Sequence, residues 1–385
     1  MVIGKASHMI NKSKEGNKRF QRTLANQTYL AMLLFFYALA ASQAMWSFSY
    51  KWTTIESHPQ YSLEQTLAGS TPKPYAYRIL IPRTINLLVG IIPDAVAKPL
   101  LERSRAALEA TIGADAASFD DRRTLAYGLI LQLNFVLLFC TLILLRQLAR
   151  SLIDNAADKS PLIVDIAPIL FALLLTISYR SQNGFIYDHF ELFALTLYLY
   201  LVRKSKNFAA LLLLVFSVLN KETAIFFPVF GAIIRWRQGF SSSSFENKLI
   251  FFLEIIVVTV CFAVVRIMFQ DHPGQATEWH FSGNAAFWLS LEPWIALTTP
   301  HLQVLPMPKP SNIILLAPML LVVLGYWSKK PVVLKRLLLA AFFINMPLFL
   351  LFSYRDEFRN LSLLFPFLFL SATHSIREYF NSRLT

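Results

Sequence analysis

Ten continuous apolar runs set the terms on which this chain can fold: 29–50, 124–145, 162–178, 190–202, 207–219, 223–234, 249–269, 311–327, 337–354 and 360–374. A run of this kind needs a medium that keeps it from water and a backbone whose polar groups are satisfied within the segment. In a bilayer that means an α-helix. The alternating pattern of an outer-membrane barrel is missing. The expected fold is therefore all-α, a polytopic transmembrane helical bundle of about ten spans. Several runs fall short of the ~20 residues that an isolated span needs. The three between 190 and 234 read either as short, tilted or broken helices or as fewer, longer ones.

Composition agrees. Charged residues make up 15% of the 385 and phenylalanine alone occurs 33 times, whereas a soluble domain carries about 25% charge. The net charge of +13 does not point to nucleic acid, because the basic residues sit in short groups between apolar runs. Cys140 and Cys261 both lie inside apolar runs, which argues for packed thiols and against a disulfide framework or a cysteine metal site.

Orientation follows from the same basic residues. Lys5, Lys12, Lys14, Lys18, Arg19 and Arg22 precede the first run. Ala38-Leu39-Ala40 and Ser42-Gln43-Ala44 resemble signal-peptidase sites, but the apolar segment continues to Tyr50 and reads as an uncleaved anchor. Later basic groups recur at every second connection: Arg146, Arg150 and Lys159; Arg203, Lys204 and Lys206; Arg235, Arg237 and Lys248; Lys329, Lys330, Lys335 and Arg336; then Arg377 and Arg383. The positive-inside rule then predicts a cytoplasmic tail 1–28, a membrane domain 29–376 with outer segments 51–123 and 270–310, and a cytoplasmic tail 377–385. This pattern holds only if 75–92 lies in the interface rather than crossing, followed by an amphipathic stretch to 123.

Ionisable residues at membrane depth are costly and ask for an explanation. Five groups stand out, all on the predicted outer face. The first holds Glu56, His58 and Glu64, then Pro74 to Arg83 with Tyr77 and Arg78. A guanidinium beside aromatics suits a lipid phosphate, though plain interfacial anchoring would use the same residues. The second is Arg180 with Asp188, His189 and Glu191 at the head of an apolar run. Asp188 and Glu191 share a helix face. A cap accounts for one acid but not for this group. The third, Asn220-Lys221-Glu222, divides two apolar runs, as a site or as a simple turn. The fourth, Arg355 to Asn360, offers Arg355 and Arg359 to an anion or forms a self-neutralising turn. The fifth, His280 and His301 with Arg266, lacks metal-ligand spacing.

The order of these features resembles the GT-C class of bacterial membrane glycosyltransferases. The likeness rests on one amino-terminal span, an acid-bearing outer segment and a Tyr77-to-Pro82 element. An Asn-Lys-Glu between short spans and a late Arg-Asn complete it. The resemblance implies a polyprenyl-phosphate-linked sugar donor, a glycan, lipid or protein acceptor, and chemistry at the outer face of a bacterial inner membrane. It implies Glu56 or Glu64 as general base, with Asp188 as rival. Tyr77, Arg78, Arg180, His189, Glu191, Lys221, Glu222, Arg355 and Arg359 would bind substrate. No cofactor is fixed, and a divalent cation is compatible with the acids present. Nucleotide-sugar use is disfavoured, since no Gly-rich phosphate loop is present. A transporter or flippase, a polymerase or ligase for a lipid-linked glycan, and a non-catalytic subunit of such a machine remain alternatives.

Overall fold

The computed structural model describes residues 25–48, 61–112, 119–153, 161–179, 184–236, 244–298 and 306–383. Each of the ten apolar runs contains a helix. In chain order the helices are α1 (Ala25–Phe48), α2 (Leu63–Ala68), α3 (Leu80–Ile91), α4 (Asp94–Ile112), α5 (Asp121–Leu152) and α6 (Pro161–Tyr179). Then come α7 (Asp188–Arg203), α8 (Asn207–Asn220), α9 (Phe227–Arg235), α10 (Phe245–Met268), α11 (Phe281–Leu289) and α12 (Glu292–Ile295). Last are α13 (Ile313–Leu324), α14 (Val332–Phe352) and α15 (Phe365–Arg383). The sole extended element among the described residues is a two-residue ribbon, β1 (Leu297–Thr298) against β2 (Met307–Pro308).

The chain is a helical membrane protein, but the number of self-sufficient spans is smaller than ten. Among the described residues four helices, α1, α5, α10 and α14, are long and apolar enough to cross a bilayer. The reason is length. At 1.5 Å per residue the 14 residues of α8 reach roughly 21 Å and the 9 of α9 roughly 14 Å, against a hydrocarbon core of ~30 Å. The run 223–234 is not one helix: a 3-10 turn at Glu222–Phe226 precedes α9. The outward faces of α10 and α14 carry exposed Phe252, Ile256, Val264, Phe342 and Phe343. Water would not tolerate such a surface, whereas lipid does.

Local chemistry fixes the ends. Asp120 caps α5 by accepting from the Arg123 N–H at 2.7 Å, and Asn312 caps α13 by accepting from Ile314 N–H at 3.0 Å. The central element is α7, which packs on α5, α8 and α9. Two further acids inside apolar runs are internally paired. Asp165 on α6 accepts from Arg146 at 2.8 Å, Arg150 at 2.7 Å and the Tyr29 hydroxyl at 2.6 Å. Glu254 on α10 takes two bonds from Arg235, at 2.6 and 2.8 Å, and one from Tyr198 at 2.9 Å. Three of the arginines that read as topology markers are therefore also ties between helices.

The segment 61–112 contains the three helices α2, α3 and α4 and meets the segment 270–274. Lys73 donates its N–H to Pro273 O at 2.8 Å and its Nζ to Gln270 O at 3.0 Å, and His272 Nε2 lies 3.0 Å from Gly69 O. Gly274 makes this approach feasible. Its φ is +91°, and a Cβ there would lie 2.7 Å from Lys73 O.

Candidate functional site

Four breaks between helices converge on the head of α7. Arg78 follows a 3-10 turn at Tyr75–Tyr77 and precedes α3. Asp188 and Glu191 occupy the first turn of α7, where the helix dipole favours negative charge. Lys221 and Glu222 form the break between α8 and the 3-10 turn. Arg359 lies in the 3-10 turn Phe358–Leu361 between α14 and α15. Asn345, buried on α14, holds that last turn in place. It donates to Asn360 O at 2.9 Å and accepts from Leu364 N–H at 3.1 Å.

The side chains join in one network. Glu191 accepts from Lys221 Nζ at 2.7 Å, from Ser362 Oγ at 2.6 Å and from the Thr223 hydroxyl. Asp188 accepts from the Phe185 N–H at 2.8 Å and from Arg359 Nη1 at 3.2 Å, with Lys221 Nζ at 3.5 Å. Arg359 also donates to Glu357 at 3.1 Å. Arg78 clasps Glu222 through Nη2 at 2.9 Å and Nε at 3.3 Å, and donates Nη1 to the Tyr187 hydroxyl. Three cations thus face four carboxylates, a formal surplus of one negative charge. Each of the four carboxylates has a cation within 3.2 Å, which offsets the cost of taking the set out of water.

Exposure separates the acids. The side chains of Asp188 and Glu191 are 3% and 2% accessible, and that of Glu222 is 27%. Burial would push the Glu222 carboxyl up, but the Arg78 guanidinium outweighs it and holds the pKa down at about 2. Burial drives the Tyr187 and Tyr75 hydroxyls well up, so both stay protonated.

Beside the network lies a cleft of about 40 Å³, open to solvent. Aromatic rings wall it. Tyr61 meets Tyr75 at 4.8 Å, Tyr75 meets Phe185 at 5.2 Å, and Phe185 stacks on Tyr187 at 5.3 Å. Arg78 and Arg83 bring positive charge to the lining. Arg78 lies 4.4 Å from the Tyr187 ring and Arg359 lies 4.3 Å from the Phe185 ring, so two cations of the network rest against rings that line the cleft.

Six of the residues singled out in the sequence therefore meet: Arg78, Asp188, Glu191, Lys221, Glu222 and Arg359. Others go elsewhere. Glu64 points outward, 74% exposed and 3.7 Å from Arg123. Tyr77 packs under Arg266, whose guanidinium lies 4.1 Å from its ring. His189 is fully buried, its ring edge-on to Phe48 at 4.5 Å. Arg355 is exposed and turns toward α11. Glu56 and Arg180 lie outside the described residues. The sequence reading missed Thr223 and Ser362, which bind Glu191, and the internal pairs of Asp165 and Glu254. The last two carried a usable signal, an acid inside an apolar run. The hydroxyls carried none. Among the described residues no group of three metal-ligand side chains is present.

No protein-family model, curated protein or solved structure matches this chain.

Proposed function

We propose that this protein is a GT-C-like membrane glycosyltransferase that moves a sugar from a polyprenyl-phosphate carrier to an acceptor hydroxyl. In this reading the ten helices of the apolar runs form the bundle. The shorter ones, α8 and α9 above all, reach only partway and are shielded by neighbours. The observation that carries the reading is the juxtaposition of an aromatic cleft, arginines at its lining and a buried acid cluster beside it. A pyranose ring presents C–H bonds that suit an aromatic face. A phosphate suits the planar donors of Arg78 and Arg83. The acceptor oxygen attacks the anomeric carbon, and the carbon–oxygen bond to phosphate breaks. The leaving phosphate keeps the electron pair, and its charge is stabilised by Arg78. The hydroxyl proton passes to a carboxylate, for which Asp188 and Glu56 are the candidates. Glu64, turned to solvent, is set aside.

The ionic closure defines what substrate must do. Arg78 is already clasped by Glu222, so an incoming phosphate competes with that carboxylate. Exchange of one anion for another at a fixed guanidinium costs less than stripping a bare cation of its partner.

The test is transfer of labelled sugar from a polyprenyl-phosphate donor by the full-length protein in neutral micelles. Asp188→Asn and Arg78→Ala should each lower the rate at least a hundredfold while the protein still melts cooperatively. Full activity in both would remove the proposal. The broken α8–α9 pair, with charges at the break, favours a second reading as a transporter of the same lipid-linked sugar. Sealed vesicles that move the donor across the bilayer without any transfer would select that one.

A further inference from the structure

The loop 354–359 faces two ways. Arg359 enters the buried network, but Arg355 leaves it. Among the described residues no carboxylate pairs with Arg355. Its guanidinium lies instead near the rings of Tyr354, at 5.3 Å, and Phe287, at 5.9 Å. The adjacent acids are occupied: Asp356 by Lys309 at 3.2 Å and Glu357 by Arg359 at 3.1 Å. Arg355 also holds a left-handed backbone, φ +43°, which a non-glycine residue adopts at a cost. Asn284 imposes it. This residue is 1% exposed. Its Oδ1 accepts from the Arg355 N–H at 2.7 Å, while its Nδ2 donates to Leu350 O at 2.9 Å and Ser353 O at 2.6 Å.

Arg355 lines a second cleft, of about 240 Å³ and open to solvent, with Trp279, His280, Ser282, Gly283, Asn284 and Tyr354. Its lining is rich in donors. The first turn of α11 has no side-chain cap, and an added Cβ at Gly283 would meet nothing within 4 Å. The Ser282 hydroxyl and the unpaired guanidinium add to those amides. Two acids flank the cleft without lining it: Glu278 is 3.5 Å from His280 Nε2, and Glu357 accepts from the Tyr354 N–H at 3.3 Å.

We propose that Arg355 and this cleft form a binding site for a phosphate group, separate from the buried acid network and independent of the transferase reading. The phosphate belongs either to a lipid headgroup or to a small soluble phosphate ester. A guanidinium fork matches phosphate geometry, and free helix N–H groups supply the remaining bonds.

The experiment uses full-length protein in neutral detergent at low salt. The soluble arm is calorimetric titration with glycerol 3-phosphate. The lipid arm counts retained phosphatidylglycerol by native mass spectrometry. Arg355→Gly removes the charge and relieves the left-handed backbone, so it should melt no lower than the parent. It should weaken whichever probe binds by tenfold or more. Arg355→Lys should fall between the two, and Arg105→Ala, a surface control, should stay within twofold of the parent. Binding of glycerol 3-phosphate alone assigns a soluble ester, and retention of phosphatidylglycerol alone assigns a headgroup. Failure of the parent protein to bind either probe saturably would overturn the proposal. So would an Arg355→Gly protein that binds as the parent does.

Discussion

Arg78 and Glu222, 144 residues apart in the chain, meet through two parallel bonds, Nη2 to Oε1 at 2.9 Å and Nε to Oε2 at 3.3 Å. The pair fastens the start of α3 to the break between α8 and α9. The geometry is that of a planar fork, which a lysine cannot reproduce. Arg78→Lys should therefore lose most of what Arg78→Ala loses. Each should cost about 3 kcal/mol of stability, at the lower end of the range for breaking a buried pair, since Glu222 keeps some contact with water. Chemical denaturation of the two variants side by side measures it. Full rescue by lysine would show that charge alone matters.

The same pair sets a pH response. The folded pKa of Glu222, about 2, lies below the ordinary glutamate value of 4.5. The stabilisation it brings is therefore complete above about pH 4.5 and disappears as the pH falls toward 2. Melting temperature should drop across that window in the parent protein, and the drop should be smaller in Glu222→Gln. Identical profiles from pH 6 to pH 3 would contradict the assignment.

Lys330 gives a response of the same sign in an alkaline window. Its ammonium is buried at the head of α14 and donates to Ser371 O at 2.9 Å and Ser375 Oγ at 2.5 Å. Burial lowers its pKa from 10.5 to about 8. Between those values the unfolded chain holds the extra proton, so stability rises as pH increases from about 8 to 10.5. Lys330→Met should flatten that rise. Thermal melts at pH 7.5, 8.5 and 9.5 suffice to check it.

Glu191 should be the acid least tolerant of change. It takes donors from Lys221, Thr223 and Ser362. Glu191→Ala leaves a buried ammonium without its nearest counter-ion and should cost about 3–5 kcal/mol. A double variant with Lys221→Met should recover a good part of that loss, because both charges are then gone. A double-mutant cycle on unfolding reads the coupling directly.

Gly231 offers a steric test. It faces Tyr198, and an added Cβ would come within 2.2 Å of the hydroxyl that donates to Glu254. Gly231→Ala should therefore destabilise by about 1–3 kcal/mol, despite alanine's better helix propensity. An alanine variant more stable than the parent would mean that Tyr198 moves freely.

Much of the helical layout could be read from the chain, because apolar runs in lipid leave the backbone one economical choice. The grouping of Asp188, Glu191, Lys221 and Arg359 was legible for a related reason: buried charges must find partners, and few were available. The partner of Arg78 was not legible. Nothing local distinguishes Glu222 from Glu64, and only the rotation of each helix decides which one turns inward. Arg355 and Arg359 differ in the same way, four residues apart yet on opposite sides of their loop. Span number was harder to read, because an apolar run does not show where its helix begins: the Glu222–Phe226 turn takes up the start of the run 223–234 and leaves α9 with 9 residues.

The tie between Asp188 and Arg359 joins positions 171 residues apart. During synthesis, at about 5–20 residues per second, the acid is made roughly 10–30 seconds before the arginine that will answer it. Until then the nascent chain must shelter this carboxylate with the Phe185 N–H and, once it is made, Lys221. The first two-thirds of the protein can therefore insert, but it cannot close its polar centre until the final hairpin leaves the ribosome. Chains truncated before α14 should stay open at this point and fall to quality-control proteases.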